Sequence, residues 1–207
     1  MNIEKIVWRL YLNCDLWIRF LTLARCLLCP FEKLVKLVPK EGKIADLGCG
    51  TGIFANLLSL ESNKRSIVGF DENSYVIEAA RKAVSNRNNI KFLVRRVDEV
   101  EFDGDYDVIT IIDLLHHIPL EIQEKVLIMS YERIVGGGIL LLKEIDKTPK
   151  WKYIANIIHD SIRDFGNKLY VRDHREYCKL LQEIGFSVKV IFMPKAYLPH
   201  VLYYCKK

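Results

Sequence analysis

The residues best suited to chemistry form one short run, Lys43-Ile44-Ala45-Asp46-Leu47-Gly48-Cys49-Gly50-Thr51-Gly52. Three glycines alternate with Cys49 and Thr51, an acid stands two places ahead of them, and a helix-forming segment begins at Ile53. Glycine has no Cβ, so this run can turn tightly and let a ligand approach the backbone. The helix start that follows offers N–H groups and the positive end of its dipole. A dinucleotide-binding turn reads G-x-G-x-x-G and seats a pyrophosphate. Here Gly52 comes one place early for that pattern, and Ile53 stands where the third glycine belongs. Asp46 would also repel a pyrophosphate and suits a cationic ligand better. The alternative is a glycine turn that binds nothing.

With Asp46 to Gly52 reading D-x-G-x-G-x-G, the sequence resembles the class I S-adenosylmethionine-dependent methyltransferases, over roughly residues 40–205. The cofactor of that family carries a sulfonium and an ammonium but no phosphate. The resemblance implies that Asp46, Gly48, Cys49, Gly50, Thr51 and Gly52 bind S-adenosylmethionine. It assigns Asp71, at the end of the second strand, to the ribose hydroxyls, both of which an acid can accept from. The other reading of Asp71 is a helix cap, a role that Asn73 or Ser74 already fills. Glu72 extends the same surface.

After the third strand the pattern departs from the family. An acid followed by a small apolar residue usually holds the adenine there, but Arg96 occupies the acid's place, Val97 follows it, and Asp98 comes two positions late. Either a bulge brings Asp98 in, or Arg96 stacks on the purine. Val97 and Asp98 are retained as contacts. The fourth strand delivers Asp113-Leu114-Leu115-His116-His117, similar to the family motif that passes the methionine part of the cofactor at Asp113 and then faces the substrate. His116 could serve as a general base, because an unperturbed imidazole has a pKa near the working range; a histidine here can equally pack or cap.

Alternating strands and helices must position these residues. Ile44–Leu47, Ser66–Phe70, Ile90–Val94, Val108–Ile112 and Ile139–Leu142 read as strands, the last following Gly136-Gly137-Gly138. Helices are expected over Ile53–Leu60, Ser74 to about Asn86, and Leu120–Ile134. The fold class is therefore α/β, a Rossmann-like, doubly wound, mostly parallel sheet. The resemblance adds seven strands and an antiparallel terminal hairpin, here Ser187–Phe192 and His200–Cys205 after a helix over Asp173–Ile184. Between them, Trp151 to about Phe165 reads as an inserted helix, and Glu144, Asp146, His159, Asp160, Tyr197 and His200 are candidates to shape an acceptor pocket.

Residues 1–40 form an N-terminal helical extension ahead of a cofactor-binding domain over 41–207. Ile3, Val7, Leu10, Cys14, Trp17, Leu21, Ala24 and Leu28 recur at steps of four and three, predicting one long helix over 3–29, with a short second helix over Phe31–Val38. A second apolar row, Trp8, Leu12, Leu16, Phe20, Leu23 and Leu27, means that one covering surface is not enough. A homodimer, a lid or a membrane-surface contact are the options. The extension holds seven basic side chains against three acidic ones, four of the five excess positive charges of the chain.

At 207 residues, 50% hydrophobic and 28% charged, the chain can bury a core and is not a disordered one. The six cysteines sit in apolar segments without a paired metal motif, which favours buried thiols and no metal site. The N-terminal apolar run has no signal-peptide cleavage site and is broken by charge, so the expected location is the cytoplasm, with the inner membrane surface as an option. Neither a base-flipping Asn-Pro-Pro-Tyr-like motif nor an RNA-binding appendage is found, so no nucleic-acid partner is expected. The expected function is methyl transfer from S-adenosylmethionine to a small apolar or carrier-bound acceptor, lipid, aryl or quinone-like. Segments from Lys143 and from Tyr197 also look like small bacterial methyltransferases of lipid or polyketide assembly. An RNA or protein methyltransferase, or a non-catalytic protein keeping the cofactor fold, are the competing readings.

Overall fold

A computed structural model describes residues 3–147, 169–193 and 199–207. The expected helix from Trp151, with His159 and Asp160, and the expected contact Tyr197 lie outside the described residues. The chain divides into two compact units, Met1–Val108 and Ile109–Lys207.

The first unit runs α1 (Ile3–Leu10), α2 (Leu16–Leu28), α3 (Phe31–Val35), β1 (Gly42–Leu47), α4 (Ile53–Glu61), β2 (Arg65–Asp71), α5 (Ser74–Lys82) and β3 (Ile90–Val94). Strand β4 (Tyr106–Ile112) spans the division. The second unit continues with α6 (Leu120–Arg133), β5 (Ile134–Ile145), α7 (His174–Ile184), β6 (Ser187–Phe192) and β7 (His200–Lys206). The seven strands form one sheet of order β3-β2-β1-β4-β5-β7-β6. β1 pairs parallel with β2, and β2 with β3, whereas β7 runs antiparallel to both β5 and β6. This is the Rossmann-like sheet with an antiparallel edge that the sequence led us to expect. Ile44, Ala45 and Leu47 on β1, and Ile67, Val68 and Phe70 on β2, are all buried, as in strands covered on both faces.

Two expectations need correction. Residues 3–29 are not one helix: α1 ends at Leu10, and α2 starts after Asp15, whose carboxylate accepts from the Ile18 N–H at 2.9 Å. An aspartate cap satisfies an orphan N–H at a helix start and so stabilises a break that an apolar period alone does not show. The break also turns Tyr11 inward, where it is fully buried. The second correction concerns Gly136-Gly137-Gly138, which lie within the twelve-residue β5 rather than before it. The Gly137 N–H donates to the Lys207 carbonyl and the Lys207 N–H to the Gly138 carbonyl, so pairing with the chain's end carries the strand through the glycines. Smaller shifts end α3 at Val35 and α5 at Lys82.

Arg65, at the start of β2, is buried and holds the first unit together at the end of the sheet away from the glycine turn. Its guanidinium donates to the carbonyls of Pro39, Leu58 and Val38 at 2.7, 2.8 and 2.8 Å and pairs with Glu61 at 2.8 Å. Removing it leaves three carbonyls and a carboxylate without their donor. Arg65→Ala should therefore lower unfolding stability by roughly 3–5 kcal/mol in chemical denaturation. An acid-sensitive cluster ties the start of β1 to the segment ahead of β4. The Tyr106 hydroxyl donates to Asp103 at 2.5 Å and Lys43 pairs with it at 3.0 Å, which holds the Asp103 carboxyl well below its ordinary 3.8. A depressed carboxyl contributes stability that is full above its unfolded value and lost as pH falls through the folded one. Asp103→Asn should accordingly flatten the stability profile below about pH 4 and leave its shape above pH 5 unchanged in pH-dependent melts.

Candidate active site

The glycine turn leaves the carboxyl end of β1. Gly48, Gly50 and Gly52 have φ of 68°, 55° and 75°, the left-handed region that favours glycine. The turn is closed by the Cys49 N–H donating to the Phe70 carbonyl and the Gly52 N–H to the Cys49 carbonyl, both at 2.9 Å. Two of these glycines are required for different reasons. A Cβ on Gly52 would stand 2.6 Å from Phe92 Cζ and 2.8 Å from Ala80 Cβ, so packing forbids one. A Cβ on Gly50 would meet nothing within 4 Å. Its backbone therefore faces open space, as a ligand-contacting backbone must. Burial pushes the Cys49 thiol up, with the charges of Asp46 and Asp71 adding to the shift, so it stays neutral between them.

Asp71 ends β2 and is bound into this turn. Its Oδ2 accepts from the Gly50 N–H and its Oδ1 from the Asn73 N–H, each at 2.9 Å. Asn73 in turn caps α5 through the Tyr75 N–H, as the sequence indicated. Asp46 is buried on the strand that leads into the turn. Thus Asp46, Gly48, Cys49, Gly50, Thr51, Gly52 and Asp71 are brought together. Val97 and Asp98 lie on a one-turn helix after β3, Val97–Glu99. Arg96 stands just before it and pairs with Asp98 and Glu99 at 3.3 and 3.4 Å, with Glu72 at 3.9 Å. The charge that replaces the family's acid is thus engaged by three neighbouring carboxylates.

Sequence reasoning missed what supports the turn from behind. The Tyr11 hydroxyl donates to the Thr51 carbonyl at 2.6 Å, and burial pushes that hydroxyl's pKa far up. Asn56, wholly buried, donates to the Gly52 carbonyl at 2.9 Å and accepts from Arg87 at 2.5 Å. A buried asparagine in the first turns of an apolar helix was the available signal.

In the second unit Glu144, near the end of β5, organises the loop after β4. Its Oε1 accepts from the N–H groups of Leu114 and Leu115 at 3.0 and 2.7 Å, and its Oε2 lies 2.5 Å from His116 Nδ1. Both side chains are buried. The carboxylate thereby fixes the orientation of the imidazole ring as well as the path of the loop. Asp113, at φ 53°, is a non-glycine residue in the left-handed region, held by an N–H bond to the Lys143 carbonyl and a 2.5 Å pairing with the buried Lys143 ammonium. Gln123 locks the loop: its amide donates to the carbonyls of Leu115, Ile118 and Tyr170 at 2.8–3.0 Å, and its oxygen accepts from the Tyr177 hydroxyl at 3.2 Å. Gln123 and Ser130 take positions in α6 where Val126 and Leu127 mark the buried stripe, a polar pattern that could have flagged them. A second buried carboxylate, Asp146, holds His174 Nδ1 at 2.9 Å.

A family model described as a methyltransferase domain matches residues 22–189. The chain belongs to this methyltransferase domain family. A ubiquinone biosynthesis O-methyltransferase of Rickettsia bellii is 30% identical over 117 residues, 56% of this chain and 47% of that protein. A ribosomal protein L11 methyltransferase of Thermotoga neapolitana is 28% identical over 152 residues, 72% of this chain and 53% of that protein. The chain thus spans about half the length of the curated relatives it matches. Among solved structures, magnesium protoporphyrin IX methyltransferase of Synechocystis with bound S-adenosylmethionine superposes with a TM-score of 0.70 at 16% identity, covering all of this chain and 98% of its own. The pyocyanin biosynthetic protein PhzM gives 0.75 at 17%, covering 96% and 60%. At these identities the structures establish the fold.

The site's residues fit the cofactor of this family. The Gly50 backbone is open, the start of α4 has no side-chain cap, and carboxylates suited to a cation and a ribose stand at Asp46 and Asp71. The two glycines should separate experimentally. Gly52→Ala should cost about 3 kcal/mol, strain plus collision with Phe92, whereas Gly50→Ala should cost about 1 kcal/mol, from its left-handed φ alone, in parallel denaturation curves.

Proposed function

We propose that the glycine turn and Asp71 hold S-adenosylmethionine and that the protein methylates an oxygen of a small, largely apolar acceptor, lipid, aryl or quinone-like. The observation that carries the reading is the buried Glu144–His116 pair, 2.5 Å apart, which orients an imidazole at the end of β4. When bound, the cofactor supplies an activated sulfonium methyl. Asp71 would accept from the ribose hydroxyls through the lone pairs that its bonds to the Gly50 and Asn73 N–H groups leave. Asp113 contributes to the methionine end, as in the family pattern, and Val97 and Asp98 to the adenine end. His116 takes the proton of an acceptor hydroxyl, while Glu144 orients the ring and stabilises the imidazolium that results. A carboxylate or carbanion-like acceptor would need no such base. The O-methyltransferase names of several relatives support an oxygen acceptor.

A protein acceptor is the second reading, favoured by the ribosomal protein relative, whose match covers more of this chain than the quinone relatives'. Incubation with labelled cofactor and a cell extract decides between them. Label in the solvent-extractable small-molecule fraction supports the first reading, and label confined to a protein band sinks it. Calorimetry comes first: no heat with S-adenosylmethionine at millimolar concentration would remove both. Asp71→Ala should weaken cofactor affinity at least tenfold. Once an acceptor is found, His116→Ala should lower kcat by roughly 10²–10⁴ at unchanged cofactor affinity, and Glu144→Gln by a smaller factor.

A further inference from the structure

Helix α2 has two apolar faces, and the fold uses one. Ile18, Thr22 and Cys26 are buried against the first unit. At about 3.6 residues per turn, Leu16, Phe20, Leu23 and Leu27 form a second stripe on the opposite side, with Trp17 beside it. Of these, Leu16, Trp17, Phe20 and Leu27 lie in solvent, from 61% exposed at Trp17 to 78% at Leu16. Trp8 of α1 and Leu12 of the connecting turn are exposed as well. Trp17 and Phe20 stack at 6.0 Å between ring centres. Single exposed apolar residues are ordinary, but six large ones on two consecutive helices and the turn between them form a patch that asks for a cover.

The charge around it identifies the cover. Arg19 and Arg25 fall on either side of the exposed stripe by helical spacing, and Arg19 lies over the Trp8 ring at 4.0 Å. Lys5 and Arg9 of α1, and Lys33 and Lys40 beyond α2, are exposed, whereas Lys36 pairs with Glu32 at 3.1 Å. Asp15, the acid nearest the stripe, has its carboxylate bound to the Ile18 N–H and the Tyr75 hydroxyl at 2.9 and 2.8 Å. A two-fold contact with a second copy would set this basic surroundings against its own image. Interfacial tryptophans, leucines and flanking arginines suit instead the boundary between acyl chains and anionic headgroups. No helix among the described residues is long and apolar enough to cross a membrane, so the fit is to lying in the surface. We propose that the outer face of α1 and α2 docks on an anionic lipid bilayer. The Tyr11–Thr51 and Asp15–Tyr75 bonds fix that face on the first unit, so it is presented without refolding.

This inference stands apart from the catalytic reading, and the test keeps the two distinct. The full chain is sedimented with phosphatidylcholine vesicles with and without phosphatidylglycerol, at low and high salt, while tryptophan emission is followed. Binding to the phosphatidylglycerol vesicles is expected, with a blue shift and a loss of at least about tenfold in affinity at high salt. Trp17→Ser with Phe20→Ser should reduce that binding at least tenfold, with thermal melting and S-adenosylmethionine calorimetry unchanged. Absence of binding to anionic vesicles would overturn the proposal. So would binding that the double variant leaves intact, or a dimer in sedimentation velocity that the double variant dissociates.

Discussion

The bond between the Gly50 N–H and Asp71 Oδ2 joins the carboxyl ends of two neighbouring parallel strands, and the shape of the glycine turn depends on it. A turn of three left-handed glycines has little conformational preference of its own. Asp71 gives that turn a fixed acceptor from β2, Asn56 and Tyr11 supply donors from behind, and the Phe92 ring leaves no room for a side chain at Gly52. The entropy that glycines would cost on ligand binding is thus met during folding, which is how a flexible sequence becomes a preorganised cradle.

The second unit solves a different problem with the same device, one carboxylate satisfying several donors. Glu144 fixes two backbone N–H groups and one imidazole nitrogen, so the loop after β4 has a defined path and the His116 ring a defined orientation. Lys143 beside it is wholly buried and matched by Asp113. Buried charges that are paired and hydrogen-bonded, next to a backbone held at positive φ, are features that functional sites retain. Gln123 secures the other side of the loop, so the histidine is positioned by groups that themselves have no freedom to move.

The N-terminal extension belongs to the first unit as structure and to the surface as chemistry. Its inner face fills the space over α4 and α5, with Phe31 stacked on Phe54 and Tyr11 bonded to the turn. Its outer face remains apolar and rimmed by base. A helix apolar all round normally signals burial, and here the amino-acid pattern describes two surfaces of different kinds.

Much of this was legible in the residues. The spacing of Gly48, Gly50 and Gly52 after Asp46 marks a tight turn better suited to a cationic ligand than to a pyrophosphate, because glycine takes those backbone angles cheaply and the acid would repel phosphate. The α/β class with a mostly parallel sheet followed from the alternation of strands and helices, and strand positions from apolar runs, since both patterns are local or nearly so. What the chain alone left undecided was contact across distance. That Glu144 orients His116 across 28 residues, that Tyr11 reaches Thr51 across 40, and that Asp15 breaks an otherwise continuous helix depend on which surfaces meet once the sheet has formed. Periodicity reports which face of an element is apolar; only the packed structure decides what each polar group on that face will find opposite it.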